Sequence, residues 1–143
     1  YPLRRQRQMC IRDRGHVFGY SIGVDLTRRD LQDEAKGMRR PWDLSKGFDA
    51  SAPIGSIVPA SEIGHPAAGR IALSVNGQLR QDGDLADQIW PVPDIVATLS
   101  KFVALAPGDL IFTGTPEGVG AIVKGDMVEG EIAGIGTLRT KII

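Results

Sequence analysis

An aspartate, an arginine and a glutamine stand at positions 25, 29 and 32, inside the segment FGYSIGVDLTRRDLQ that runs from 18 to 32. An apolar, β-prone run delivers Asp25 to the edge of a helix start, and Arg29, Asp30 and Gln32 follow in the next turns. A carboxylate at a strand end is a rigid oxygen ligand for a hard cation such as Mg²⁺ or Mn²⁺. It is equally a loop acid, or an acid facing the N-terminal end of a helix dipole. Arg29 can grip a carboxylate with both prongs of its guanidinium, or pair with Asp30 or Asp33. Gln32 returns to the face of Asp25 after about two helical turns, unless it is simply a solvated helix amide. Asp30 is most economical as a capping acid.

Two further segments carry candidate chemistry. Lys46 lies in DLSKGFD, where Trp42 and Phe48 give the chain an aromatic anchor; an exposed loop lysine is the plainer reading. FTGTPEGVG (112–120) sets the Thr115 hydroxyl among glycines that let backbone N–H groups approach an anion. By itself TGTP marks only a turn. His16 reads as a strand-end residue and His65 as a loop residue. Glu129 and Glu131, two apart on a strand, share one face and read as solvated.

The elements that must position these groups follow from pattern. His16 to Val24 reads as a strand. Thr27 can cap the next helix with Asp30 as the capping-box acid, and that helix should stop near Arg39 because Pro41 disfavours helical geometry at Arg40. PWDLSKGFDASAP reads as loop, closed by a strand at 54–58. IALSV and QLRQ flank Asn76-Gly77, the sequence of a type I′ hairpin turn. Apolar residues at 95, 96, 99, 102 and 103 fall at helical spacing, which predicts a helix from Pro93 to Leu105. LIFT after Pro107-Gly108-Asp109 reads as a strand, and glycine-rich turns separate short strands to the end. The fold class is α+β and strand-rich.

Composition narrows the partners. The whole chain balances 17 basic against 17 acidic residues, but its first fourteen residues hold five arginines and one aspartate, so the body is mildly acidic. That argues against a polyanion-binding surface, hence against nucleic acid as a partner. No uncharged apolar stretch reaches the ~18 residues of a membrane span, so a membrane role is not expected. Cys10 is the one cysteine, which excludes an internal disulfide or cysteine metal site. The expected compartment is cytoplasmic.

The segments around Asp25, Lys46 and Thr115 together resemble the fumarylacetoacetate hydrolase family, most closely its fumarylpyruvate and acylpyruvate hydrolases, from Gly15 to the C-terminus. The resemblance implies part of a mixed β-roll whose curled sheet holds Mg²⁺ or Mn²⁺ at one mouth. It implies Asp25 as a metal ligand, Lys46 as the catalytic lysine that holds this acid and stabilises an enolate, and Gln32 and Thr115 as substrate-binding residues, beside which Arg29 is a substrate-binding candidate by its own bidentate chemistry. The implied reaction is hydrolysis of a C–C bond in a 2,4-dioxo acid such as fumarylpyruvate, in aromatic-compound catabolism, by a homodimer. Oxaloacetate-type decarboxylation and oxo-dienoate isomerisation use the same core and are the rival activities. An inactive fragment is the third alternative.

Family members also place a glutamate pair, E-x-E, and a lid histidine ahead of the Asp25 strand. No counterpart precedes it here, so residues 15–143 are expected to be the C-terminal portion of the catalytic domain. Residues 1–14, YPLRRQRQMCIRDR, lack periodicity and are expected to be a non-native extension, with a basic nucleic-acid-binding tail or a disordered arm as alternatives.

Overall fold

The computed structural model describes residues 14–143; the expectation for the N-terminal extension lies almost wholly outside them. Two antiparallel sheets organise these residues. A four-stranded sheet, ordered β4-β3-β5-β6, is built from β3 (Arg70–Val75), β4 (Gln78–Asp84), β5 (Met127–Ile132) and β6 (Gly136–Lys141). A two-stranded ribbon pairs β1 (Gly19–Tyr20) with β2 (Val58–Pro59). The helices are α1 (Arg29–Gly37), α2 (Asp43–Lys46), α3 (Ala60–Ile63) and α4 (Val92–Leu99).

The β3–β4 hairpin forms as the sequence predicts. Asn76 and Gly77 take φ of 52° and 76°, the left-handed pair that a type I′ turn requires. Register puts Ile71 opposite Ile132, Leu73 opposite Gly130 and Val75 opposite Val128 on one face. Ser74 and Ala72 oppose Glu129 and Glu131 on the other, where Glu129 meets Arg139 at 3.2 Å. The two glutamates therefore share a face, as the spacing implies.

The first face is the core. Ile22, Ile132 and Ile135 are buried together, with Tyr20, Ile63, Ile71, Leu85 and Leu138 packed around them. Gly130 makes this closure possible: a Cβ there would stand 2.7 Å from Cδ1 of Ile22, so the segment after β1 lies directly on the sheet.

Several elements differ from the sequence reading. The strand over 16–24 contracts to β1 and an isolated bridge between Gly23 and Ile54. The one Ser21 hydroxyl proton is shared between the carbonyls of Ile22 at 3.1 Å and Gly55 at 3.0 Å, side-chain bonding to backbone that competes with a regular ladder. Thr27 does not cap α1. Arg28 is the N-cap, without a side-chain bond, because the Thr27 hydroxyl donates to the Asp25 carbonyl. Helix α1 ends at Gly37, two residues before Arg39, which takes φ of 53°. The Arg40 N–H then reaches back to the Ala35 carbonyl, a closure of Schellman type that satisfies the last turn.

The loop over 41–53 contains a helical turn, α2, and the strand expected at 54–58 shortens to β2. The predicted helix over 93–105 starts at Val92 and ends at Leu99; beyond it, Phe102 and Val103 N–H groups bond the Leu99 carbonyl as turns. LIFT (110–113) forms no strand among the described residues. A strand needs a ladder partner, and none of β1 to β6 pairs with this segment. Among the described residues, no helix is long and apolar enough to cross a membrane.

Candidate active site

Asp25 and Lys46 are brought together by backbone pairing between 22–28 and 45–55. The N–H groups of Gly55, Val24, Leu26 and Arg28 bond the carbonyls of Ile22, Pro53, Ser51 and Ser45 respectively. Ser45 is buried and its hydroxyl donates to the Trp42 carbonyl, so α2 is pinned where Lys46 leaves it. The aromatic anchor acts through cations of α1 and its N-cap. The Arg28 guanidinium lies 4.4 Å over Phe48 and the Lys36 ammonium 5.3 Å over Trp42, contacts worth ~0.5–1 kcal/mol at exposed sites.

Lys46 Nζ donates to Asp25 Oδ2 at 2.6 Å and to Thr27 Oγ1 at 2.9 Å. Thr27, absent from the sequence reading as a site residue, thereby locks both partners: its oxygen receives the ammonium while its proton goes to the Asp25 carbonyl. Asp25 Oδ1 makes no hydrogen bond to a described residue. One carboxylate oxygen is thus committed and one is open.

Arg29 takes neither of the acidic partners that spacing offered. Its Nη1 donates to Gln32 Oε1 at 2.5 Å, and Gln32 is 3% exposed. A guanidinium only donates, so this contact fixes which end of the amide is oxygen. Gln32 is therefore not a solvated helix amide.

Thr115 lies on the third segment. Phe112 packs against Gly23, where an added Cβ would stand 2.7 Å from the Phe112 ring; this contact carries the 112–120 loop to the segment that leads into Asp25. Gln81, on β4, donates from Nε2 to Thr115 Oγ1 at 2.8 Å and to the Pro116 carbonyl at 2.7 Å. Gln88 donates to Thr113 Oγ1 at 2.9 Å. Among the described residues no hydrogen bond or ion pair joins the Asp25–Lys46 pair to the Arg29–Gln32 pair, or either to Thr115.

The remaining candidates stand apart. His65 Nδ1 lies 2.7 Å from the Tyr20 hydroxyl, and His16 is exposed in a 3₁₀ turn. The contact of Gln81 with Thr115 was not legible in the sequence, because the β4 bulge between Leu79 and Gln81 places Leu79 opposite Ser74 but Gln81 opposite Leu73, turning Gln81 to the core face against simple alternation.

Asp25 is the right donor type for a hard cation, but the number of donors falls short. Among the described residues, no group of three or more His, Cys, Asp or Glu side chains is placed to hold a metal ion. Residues 14–143 do not constitute a metal centre by themselves.

The chain belongs to the fumarylacetoacetate hydrolase family: residues 11–143 match the family described as Fumarylacetoacetate (FAA) hydrolase C-terminal. It is 44% identical over 127 residues to the oxaloacetate tautomerase FAHD1 of Rattus norvegicus, a mitochondrial protein, covering 89% of this chain and 58% of the relative. It is 45% identical over 132 residues to a fumarylpyruvate hydrolase of Ralstonia, covering 91% of this chain and 68% of that one. The solved fumarylpyruvate hydrolase of Pseudomonas aeruginosa, in complex with Mn²⁺ and pyruvate, superimposes with a TM-score of 0.89 at 48% identity, over 95% of this chain and 57% of that one. The α+β fold, part of the family's β-roll, is thereby borne out. The chain spans somewhat more than half the length of these relatives.

Proposed function

We propose that the protein to which these residues belong hydrolyses a C–C bond in a 2,4-dioxo acid such as fumarylpyruvate, giving pyruvate and a carboxylic acid. The observation that carries this reading is the Lys46 ammonium 2.6 Å from Asp25 and held there by Thr27, in a chain whose relatives include fumarylpyruvate hydrolases. Asp25 is one ligand of Mg²⁺ or Mn²⁺, through its open Oδ1. Its remaining ligands and the base that activates water would come from residues other than the described ones, among which no group of three or more His, Cys, Asp or Glu side chains gathers.

What this chain contributes is placement of charge. Lys46 stabilises the negative charge that develops on the departing pyruvate enolate, from a position fixed before substrate arrives. Thr115 donates to the substrate carboxylate, and the glycines of its loop let backbone approach the same anion. Arg29 and Gln32 bind the oxo-acid end as one unit, the guanidinium orienting the amide. The working context is a cytoplasmic homodimer in aromatic-compound catabolism.

A second reading has a specific basis: the rat relative is named an oxaloacetate tautomerase, and keto–enol exchange also passes through an enolate that Lys46 would stabilise. Incubating the full-length protein and Mn²⁺ with fumarylpyruvate and, separately, oxaloacetate, each followed by absorbance, decides between them. Loss of fumarylpyruvate absorbance with release of pyruvate supports the hydrolase. Turnover of oxaloacetate alone overturns it in favour of the tautomerase.

A further inference from the structure

We propose that Gln81 is a positioning residue that makes Thr115 a hydrogen-bond donor to the substrate, and so selects ligands presenting an acceptor oxygen. The inference rests on the reading of Thr115 as a substrate-binding residue. Gln81 is 9% exposed and touches two oxygens of the 112–120 loop. The second of these decides the chemistry. The Pro116 carbonyl can only accept, so the Gln81 atom 2.7 Å from it must be the amide nitrogen. The same nitrogen lies 2.8 Å from Thr115 Oγ1. Its two protons serve the two oxygens, and the Thr115 oxygen is an acceptor in this contact. A threonine hydroxyl holds one proton, and here that proton is left to point elsewhere. Thr115 is exposed and donates to no described residue, so the proton is available to a ligand.

The surroundings show that this contact is built. The bulge at Arg80 turns Gln81 to the core face. Gly118, at φ of 95°, lets the loop backbone come against the Arg80 carbonyl, and Gly83 admits Pro116, whose Cβ would lie 3.1 Å from a Cβ at Gly83. The loop is thus seated on the bulge, and Gln81 reaches it at its centre. The Gln88–Thr113 contact is different in kind: the Gln88 amide nitrogen reaches one hydroxyl and no carbonyl.

The test uses the full-length protein with Mn²⁺. Calorimetry measures the Kd for pyruvate, kinetics give kcat and KM for fumarylpyruvate, and thermal melting reports the fold. Gln81→Leu is expected to weaken pyruvate and raise KM about tenfold, the scale of a hydrogen bond to a charged group, with kcat changed far less. Gln81→Glu keeps the shape but accepts the Thr115 proton, so it should lose at least as much affinity; it carries the test if the leucine variant does not melt cooperatively. Thr115→Ser should retain near-normal affinity and Thr115→Val should not. Adding Gln81→Leu to Thr115→Val should cost less than about twofold more, because the two act through one proton. Pyruvate affinity within about twofold of wild type in a folded Gln81 variant, or fully additive losses in the double variant, would overturn the positioning role while leaving the hydrolase reading intact. A wild type that binds pyruvate but turns over no fumarylpyruvate sinks the hydrolase reading and leaves the Gln81 comparison decidable by Kd. A wild type that neither binds pyruvate nor turns over fumarylpyruvate overturns both.

Discussion

The Lys46 ammonium stands 2.6 Å from Oδ2 of Asp25, a residue 21 positions earlier in the chain. With side chains 34% and 49% exposed, such a pair contributes about 0–1 kcal/mol. Stability is a weak reason for it. Its effect is geometric: one oxygen of Asp25 is tied to a fixed cation, and the other is left open.

That division predicts the outcome of Asp25→Ala in the full-length protein. The substitution removes the open oxygen and the anchor of Lys46 together, while an exposed side chain leaves packing untouched. Metal-dependent turnover should fall to background with the melting temperature close to wild type. Undiminished activity would remove Asp25 from the metal site.

Lys46→Met tests the cation separately. Met preserves most of the stem volume but cannot stabilise an enolate, so kcat should drop about 100-fold or more, the loss typical of one electrostatic stabiliser. Steady-state kinetics on a variant that melts normally is the check. A near-normal rate would return Lys46 to the ordinary surface lysines.

How much of this was legible in the sequence depends on the range of the forces involved. The Asn76-Gly77 hairpin was, because positive φ at two adjacent residues is a local demand that Asn and Gly meet themselves. The meeting of Asp25 with Lys46 was legible only through family resemblance, since neither residue's neighbours specify a partner 21 residues away. LIFT failed as a strand because a strand is a statement about a partner. Gln81 escaped notice because one bulged residue reverses the face that alternation assigns, and Thr27 because a capping threonine and a bridging threonine look alike in sequence.

Gly118 offers a test of the loop seat. Its φ of 95° is a region that side chains rarely adopt, and a Cβ would collide with the Arg80 carbonyl, which is backbone and cannot swing away. Gly118→Ala should cost of order 1–3 kcal/mol locally, chiefly by displacing the 112–120 loop. Pyruvate affinity should fall more than global stability, and limited proteolysis should cut the loop faster. Equal affinity and equal protection would mean that the loop is not seated on β4.

Acid sensitivity has two identifiable sources. The Ala86 N–H, then that of Gly69, hold the Asp84 carboxyl below its ordinary value of 3.8. The Val123 N–H and the Asn76 amide do the same for Asp126. A depressed folded-state value means stability that is present above pH ~4 and lost as pH falls through the lower, folded value. Asp126→Asn should therefore be less stable than wild type at pH 7, and the gap should narrow on acidification below pH ~4. Urea unfolding at pH 7 and pH 3 reads it; a gap that stays constant would show that ionisation of Asp126 is irrelevant.

A tightly held metal needs more donors than residues 14–143 offer. Mg²⁺ prefers about six oxygen ligands in a near-octahedral array, several of them often water. Asp25 brings one open carboxylate oxygen, with the Lys46 cation beside the other, and no group of three or more His, Cys, Asp or Glu side chains gathers among the described residues. A single carboxylate competes poorly with water for such an ion, and the nearby ammonium opposes its approach. The 143-residue chain alone should therefore bind Mn²⁺ no tighter than the millimolar range and show no hydrolysis of fumarylpyruvate. The apolar side chains of Phe102, Leu110 and Phe112 stand exposed beside a segment with no ladder partner, so self-association is the accompanying expectation. Calorimetric titration with Mn²⁺, light scattering and an absorbance assay decide it together. Micromolar Mn²⁺ binding or measurable turnover by this chain would mean that the centre is complete without ligands from elsewhere, and that the role given to Asp25 as one donor among several is wrong.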